Sequence, residues 1–393
     1  MKILLVHNEY LQPGGEDAVQ AAERGLLSGM GHSVVEYRRH NRELRASGGF
    51  DKIALARRTV WAADSYEAIR ACIHRERPAV AHFHNTFPLV SPAAYYACRE
   101  AAVPVVQTLH NYRLFCPAAS FFRNGHLCEE CVEHSLWRGV RYGCYRGSRL
   151  TTATVAAMLA FHRQRQTWTE MVSCYIALTE FARAKFTASG LPSHKIVVKP
   201  NFVHADPGVR LRAGDYALFV GRLSPEKGPR ILLDAWERLN GRIPLYVAGD
   251  GPLRAELELQ KSQRGLVSVT FLGWLSSIRT LAAVKGCRFL VFPSEWYECF
   301  PATIVEAFAC GVPVIASRLG AMREIIEDGT TGRHFAAGDA ADLAEKVEWA
   351  WTHPKELEEM GRAARAQYEA KYTAERNYRM LTEIYRRVQE SRV

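Results

Sequence analysis

No apolar run in this chain approaches the roughly 20 residues that a bilayer-spanning helix needs, so the sequence offers no transmembrane candidate. A secretion leader is missing on the same reading. The apolar run within Met1-Lys2-Ile3-Leu4-Leu5-Val6 is short, and His7, Asn8 and Glu9 end it, which predicts a buried first strand and a cytoplasmic protein. Low-complexity segments and short tandem repeats are also lacking, which argues against disorder and repeat architectures. There is no G-x-G-x-x-G fingerprint, and dinucleotide binding loses support with it. Acidic residues are absent from His134 to Thr169, where Arg138, Arg141, Arg146, Arg149, Arg163 and Arg165 all fall.

What is present is globular. Of 393 residues 48% are hydrophobic and 23% charged, and the length favours two domains over one core. Lys and Arg exceed Asp and Glu by 51 to 41, a net +10 that favours anionic partners such as nucleotides or phospholipid surfaces. Ten cysteines without a leader suggest thiols or metal ligands rather than a disulfide framework.

Short buried strands alternate with amphipathic stretches along the whole chain. Strands are predicted at Ile3–Val6, Ser33–Tyr37, Val80–His84, Val105–Leu109, Ile176–Leu178 and Ile196–Val198. A second series follows at Tyr216–Val220, Leu245–Ala248, Ser268–Leu272, Phe289–Phe292 and Val314–Ala316. This rhythm implies α/β architecture: two doubly wound, Rossmann-like domains built on parallel sheets. We place the first at residues 1–203, with a Cys-rich insertion at about 113–148, and the second at 204–372. Residues 373–393 form a C-terminal helix expected to pack back on the first domain. Ligands of such sheets bind beyond the carboxyl ends of the strands, so a cleft between the domains is the expected site.

The most informative stretch runs from Pro293 to Ala316 and reads strand, loop, helix, strand. Pro301 suits the first turn of a helix over Ala302–Ala309, which puts Glu298 in the preceding loop and Glu306 within the helix. Free N–H groups there favour an anion such as a diphosphate, and carboxylates accept directionally from hydroxyls. Glu298 is thus placed to grip a transferred sugar and Glu306 the ribose. The plainer alternatives are a carboxylate stabilised by the helix dipole and a solvated helix residue. Gly221-Arg222-Leu223-Ser224-Pro225-Glu226-Lys227-Gly228 lies between a strand and a helix, and Arg222 and Lys227 can both turn toward one anion. Gly14-Gly15, after the first strand, lets backbone amides approach a ligand, although a plain turn looks the same. His110-Asn111 and His84-Asn85 end two strands at their carboxyl ends.

Glu298 and Glu306, followed by Ala309-Cys310-Gly311-Val312-Pro313-Val314-Ile315-Ala316, resemble the E-x7-E motif of the group-one (family-four) retaining glycosyltransferases of the GT-B superfamily. The likeness spans most of the chain, with Gly14-Gly15, His110, Gly221–Gly228 and Gly249-Asp250-Gly251-Pro252-Leu253 in register. It implies a nucleoside-diphosphate-sugar donor whose diphosphate is neutralised by Arg222 and Lys227, and a base near Gly251. His110 then meets the donor sugar or the reacting centre. Phe300 and Pro301 join the donor-binding residues, and transfer retains configuration without a catalytic metal. Glu298-Cys299-Phe300-Pro301 departs from the Glu-Gly-Phe-Gly of many members. A carbohydrate or lipid-linked acceptor is expected, in cell-surface polysaccharide or glycolipid assembly, and no nucleic acid. Rival readings are a nucleotide-sugar epimerase or sugar phosphorylase on the same fold, and a non-catalytic zinc-containing basic binding protein.

Two features lie outside that pattern. Cys116, Cys128, Cys131 and Cys144 have the C-x2-C knuckle and flanking thiols of a structural zinc site. Trp137, Leu150, Val155, Met158, Leu159, Phe161 and Trp168, flanked by arginines, could line one apolar face at an anionic membrane surface; an ordinary packed helix is the alternative.

Overall fold

The computed structural model describes residues 1–11, 14–46 and 52–391, with the backbone alone at 45, 46 and 52. Gln12 and Pro13, the start of the predicted glycine turn, lie outside the described residues. Contacts divide the chain into two units. The first is Met1–Phe121, Cys128–His204 and Ala374–Val393; the second is Phe122–Leu127 and Ala205–Thr373.

The first unit carries six parallel strands: β1 (Lys2–Glu9), β2 (Ser33–His40), β3 (Val80–Asn85), β4 (Val105–Thr108), β7 (Cys174–Ala177) and β8 (Ile196–Val198). Their order is β2-β1-β3-β4-β7-β8. Ile3, Leu4, Leu5 and Val6 are all fully buried, as a strand covered by helices on both faces requires. Between β4 and β7 lies a two-strand hairpin, β5 (Phe122–Arg123) with β6 (His126–Leu127). The C-terminal helix Ala374–Glu390 buries Leu381, Ile384, Tyr385 and Val388. Its Asn377 donates to the Pro200 carbonyl at 3.2 Å.

The second unit has β9 (Ala217–Val220), β10 (Leu245–Ala248), β11 (Val269–Gly273), β12 (Phe289–Phe292), β13 (Val314–Ser317) and β14 (Gly332–Phe335), all parallel, in the order β11-β10-β9-β12-β13-β14. Trp236, Phe219, Leu245 and Phe289 anchor its core. Two parallel sheets wound with helices establish the expected α/β class. β14 and the hairpin were not anticipated. Gly-Arg-His-Phe has no alternation to mark a strand, and Gly332 is required there because a Cβ would collide with the Val314 carbonyl.

In each sheet the strand order reverses once, between β1 and β3 and between β9 and β12. Crevices at such reversals are where loops diverge and ligands fit. Gly14-Gly15 follows β1, His84-Asn85 ends β3, and Arg222, Lys227 and Glu298 lie after β9 and β12, whereas His110 follows β4 and Gly251 follows β10.

Candidate active site

In the second unit the loops after β9 and β12 are stitched together. Pro225–Lys227 forms a short 3-10 turn closed by Gly228 in the left-handed region, φ +67°. A Cβ on Gly228 would collide with the Pro293 carbonyl, so the close approach of the two loops demands glycine. Glu295 N–H donates to the Glu226 carbonyl at 2.9 Å.

That approach joins Lys227 to Glu298. The Lys227 ammonium donates to Glu298 Oε1 at 2.6 Å, and Ser294 Oγ donates to the same oxygen at 2.8 Å. Glu298 is only 5% exposed, so the pairing compensates a nearly buried charge. Among the described residues nothing donates to Oε2. The ammonium also lies 5.6 Å from the Phe292 ring centroid and 5.4 Å from that of Trp296, within cation–π range. Ser294 and Trp296 were not singled out from the sequence, because serine and tryptophan in a loop carry no motif. Beside them, burial pushes the Glu295 carboxyl up to about 6 against the opposing charge of Arg230.

Arg222 is exposed, and among the described residues its guanidinium has no partner. Pro301 caps the helix Ala302–Ala309 rather than entering its first turn, and Glu306 is half-buried inside that helix. Burial alone raises the Glu306 carboxyl. Gly251 has a structural reason to be glycine, since a Cβ would collide with the Leu223 carbonyl. The Phe300 ring lies 6.0 Å from that of Tyr372, and Pro301 is buried.

In the first unit, Gly14 caps the helix Gly15–Gly29 and its N–H donates to Asp17 Oδ2 at 2.6 Å. The Gly14 amide is therefore committed, whereas Gly15, at the first helical position, has no intrahelical acceptor. Behind this turn, Glu16 accepts from Asn111 Nδ2 at 2.6 Å and from the Tyr10 hydroxyl at 3.1 Å. His110 is half-buried, and its Nε2 lies 3.0 Å from His84 Nδ1. Burial holds both imidazoles well below their ordinary range, and neighbouring histidines and Lys199 add to the effect. A cavity of about 40 Å³ opens beside His110, Asn111 and Arg113.

The four predicted metal ligands form no disulfide. Burial raises Cys131 to about 12, with the charges of Cys116, Cys144 and Cys128 adding to the rise, but no three of these sulfurs lie mutually within 4.8 Å. Among the described residues, the group with three potential ligand atoms mutually within 4.8 Å is a different one, Glu23, His82 and His84.

The basic stretch corrects an expectation. Val155, Met158, Leu159 and Trp168 are buried in the first unit's core and cannot form an interfacial face. Trp137 (73% exposed) and Leu150 (68% exposed) do reach solvent, beside exposed Arg138, Arg141, Arg146 and Arg149. No helix among the described residues is long and apolar enough to cross a membrane.

Comparison with known proteins bears on both units. Residues 212–367 match the family described as glycosyl transferases group 1, and residues 24–207 match glycosyltransferase family 4. The chain is 36% identical over 161 residues to D-rhamnosyltransferase WbpZ of Pseudomonas aeruginosa, covering 40% of this chain and 42% of that protein. It is 32% identical over 186 residues to O-antigen chain mannosyltransferase C of Escherichia coli, covering 47% and 50%. The matches thus span half or less of these two relatives' length. In fold, it is similar to Anabaena HepE solved with UDP, with TM-score 0.70 and 19% identity over 98% of this chain and 99% of that one.

Proposed function

The chain belongs to the group 1 glycosyltransferases of GT-B fold, and we propose that it transfers a hexose from a nucleoside-diphosphate sugar to a carbohydrate or lipid-linked acceptor. The observation that carries this is the Lys227–Glu298 pair, with Arg222 on the same loop as Lys227 and without a partner among the described residues, set where the strand order of the second sheet reverses. Arg222 and Lys227 supply positive charge to a diphosphate. Glu298 Oε2 is open to sugar hydroxyls, and half-buried Glu306, without a partner among the described residues, suits a ribose. From the first unit, the Gly14-Gly15 turn and His110 take the phosphate and sugar roles that the resemblance implies, with Gly15 supplying an amide that has no acceptor among the described residues. Phe300 and Pro301 border the sugar, and Gly251 packs the turn under the base.

The chemistry we infer is substitution with retention. The acceptor oxygen bonds to the anomeric carbon while the bond from that carbon to the β-phosphate oxygen breaks. The nucleoside diphosphate leaves with the electron pair, and its phosphate oxygen takes the acceptor's proton. Fixed positive charge where the leaving group gains charge lowers the barrier directly.

The name of the E. coli relative, an O-antigen chain mannosyltransferase, supports a cell-surface polysaccharide or glycolipid product. UDP in the HepE structure supports a uridine donor as the first to try. The exposed Trp137–Leu150 surface and its arginines support a cytoplasmic protein resting on an anionic membrane face. The C-x2-C spacing of Cys128 and Cys131, flanked by Cys116 and Cys144, supports structural zinc.

A thermal-shift screen of UDP-, GDP-, ADP- and TDP-sugars, followed by a transfer assay with the stabilising donor, tests the function. Conversion of donor without any acceptor would favour an epimerase. Strong RNA binding without nucleotide-sugar affinity would favour a non-catalytic protein.

A further inference from the structure

Behind His110 the first unit buries a carboxylate that no motif announces. Glu23 and Lys199 are both 0% exposed, and Lys199 Nζ donates to Glu23 Oε1 at 2.7 Å. Among the described residues Glu23 Oε2 has no hydrogen-bond partner, and His84 Nε2, 3.5 Å away, has none either. The other nitrogen of His84, Nδ1, lies 3.0 Å from His110 Nε2. The two ring planes are 20° apart with centroids 5.3 Å apart, so the imidazoles meet edge to edge, aligned for one N–H···N bond.

Proton counting selects its direction. A neutral imidazole has one donor nitrogen and one acceptor. If His84 carried its proton on Nδ1, the Nε2 lone pair would face a buried carboxylate oxygen with no proton between them. With the proton on Nε2, the N–H faces that oxygen and Nδ1 must accept. We propose that Lys199, Glu23 and His84 act in series to fix the tautomer of His110, with its proton on Nε2 and its Nδ1 left as a hydrogen-bond acceptor. Lys199 holds Glu23, Glu23 orients the His84 proton, and His84 draws the His110 proton inward. His84, Glu23 and Lys199 are positioning residues. If His110 meets the donor sugar, which rests on the proposed function, it receives a bond from a hydroxyl.

A divalent cation at Glu23, His82 and His84 fits less well. Both His82 nitrogens are engaged, with the Tyr385 hydroxyl at 2.7 Å and Thr108 Oγ1 at 2.8 Å, and Lys199 already balances the carboxylate.

The test is long-range 1H–15N correlation NMR on the full chain labelled with 15N-histidine, with His110 assigned by the signals lost in His110→Asn. The expected result is His110 protonated on Nε2 and unprotonated on Nδ1. Glu23→Gln then reverses the pattern. Lys199 only donates, so it keeps the amide oxygen and turns the NH₂ toward His84 Nε2, which moves the His84 proton and the His110 proton each to Nδ1. Protonation of His110 on Nδ1 in the wild type, or an unchanged tautomer in a folded Glu23→Gln, overturns the proposal. Should Glu23→Gln not fold, the wild-type spectrum decides alone. A correct tautomer alongside full transfer activity in His110→Ala would uphold the relay and remove His110 from the site.

Discussion

Lys227 donates to Glu298 across 2.6 Å, tying the loop after β9 to the loop after β12. The pair joins the cation assigned to the diphosphate with the carboxylate assigned to the sugar. Neither side chain can be removed without leaving the other short of a partner. Lys227→Ala and Glu298→Ala are each expected to cut kcat/KM roughly tenfold or more, about 1.4 kcal/mol of transition-state stabilisation. Because they share one interaction, the double variant should lose less than the product of the two. Independent, multiplicative losses would show that the pair does not act as a unit.

Gly228 makes the loop approach possible, so its substitution should be felt in stability before chemistry. Its φ of +67° and the Pro293 carbonyl both oppose a Cβ. Gly228→Ala is expected to lower stability by roughly 2 kcal/mol or more, read from denaturant unfolding. A loss within about 0.5 kcal/mol, the range of a neutral surface change, would contradict the close approach.

Acid should weaken the first unit. Burial holds His82 and His162 down to about 4 from the usual 6.5. Their neutral forms contribute full stability above pH 6.5. As pH falls toward 4, the unfolded chain takes up protons that the folded rings refuse. Each ring then costs up to about 1.4 kcal/mol per pH unit. Thermal unfolding should show a melting temperature that drops progressively from about pH 6.5 to about pH 4.5. A flat profile across that window would show that the rings are not sealed.

Metal analysis of the purified chain should find about one zinc per molecule on four thiolates, with Cys116, Cys128, Cys131 and Cys144 unreactive until a chelator is added. Freely titratable thiols and no stoichiometric zinc would refute the metal site.

Much of the architecture could be read from the sequence because parallel strands buried on both faces leave unbroken apolar runs. Phe289–Phe292 is such a run, four buried residues in succession just ahead of the Glu298 loop. Helical apolar spacing is less informative: Val155, Met158 and Leu159 repeat as a lipid-facing stripe would, yet they face the protein core. Period alone does not say what covers a face. Pairings between distant positions were also out of reach. Lys227 and Glu298 were both marked, but not as partners, being 71 residues apart. Glu23 and Lys199, 176 apart, carry no local signal, since only the fold reveals their burial.

The most direct measurement is calorimetric titration of a nucleoside diphosphate and of its parent nucleoside into wild type, Arg222→Ala and Lys227→Ala. We expect each substitution to weaken the diphosphate roughly tenfold, against about 1.5–3 kcal/mol for a charge-assisted contact, while leaving the weaker nucleoside affinity unchanged. Equal diphosphate affinity in all three proteins would place the pyrophosphate elsewhere and contradict the site.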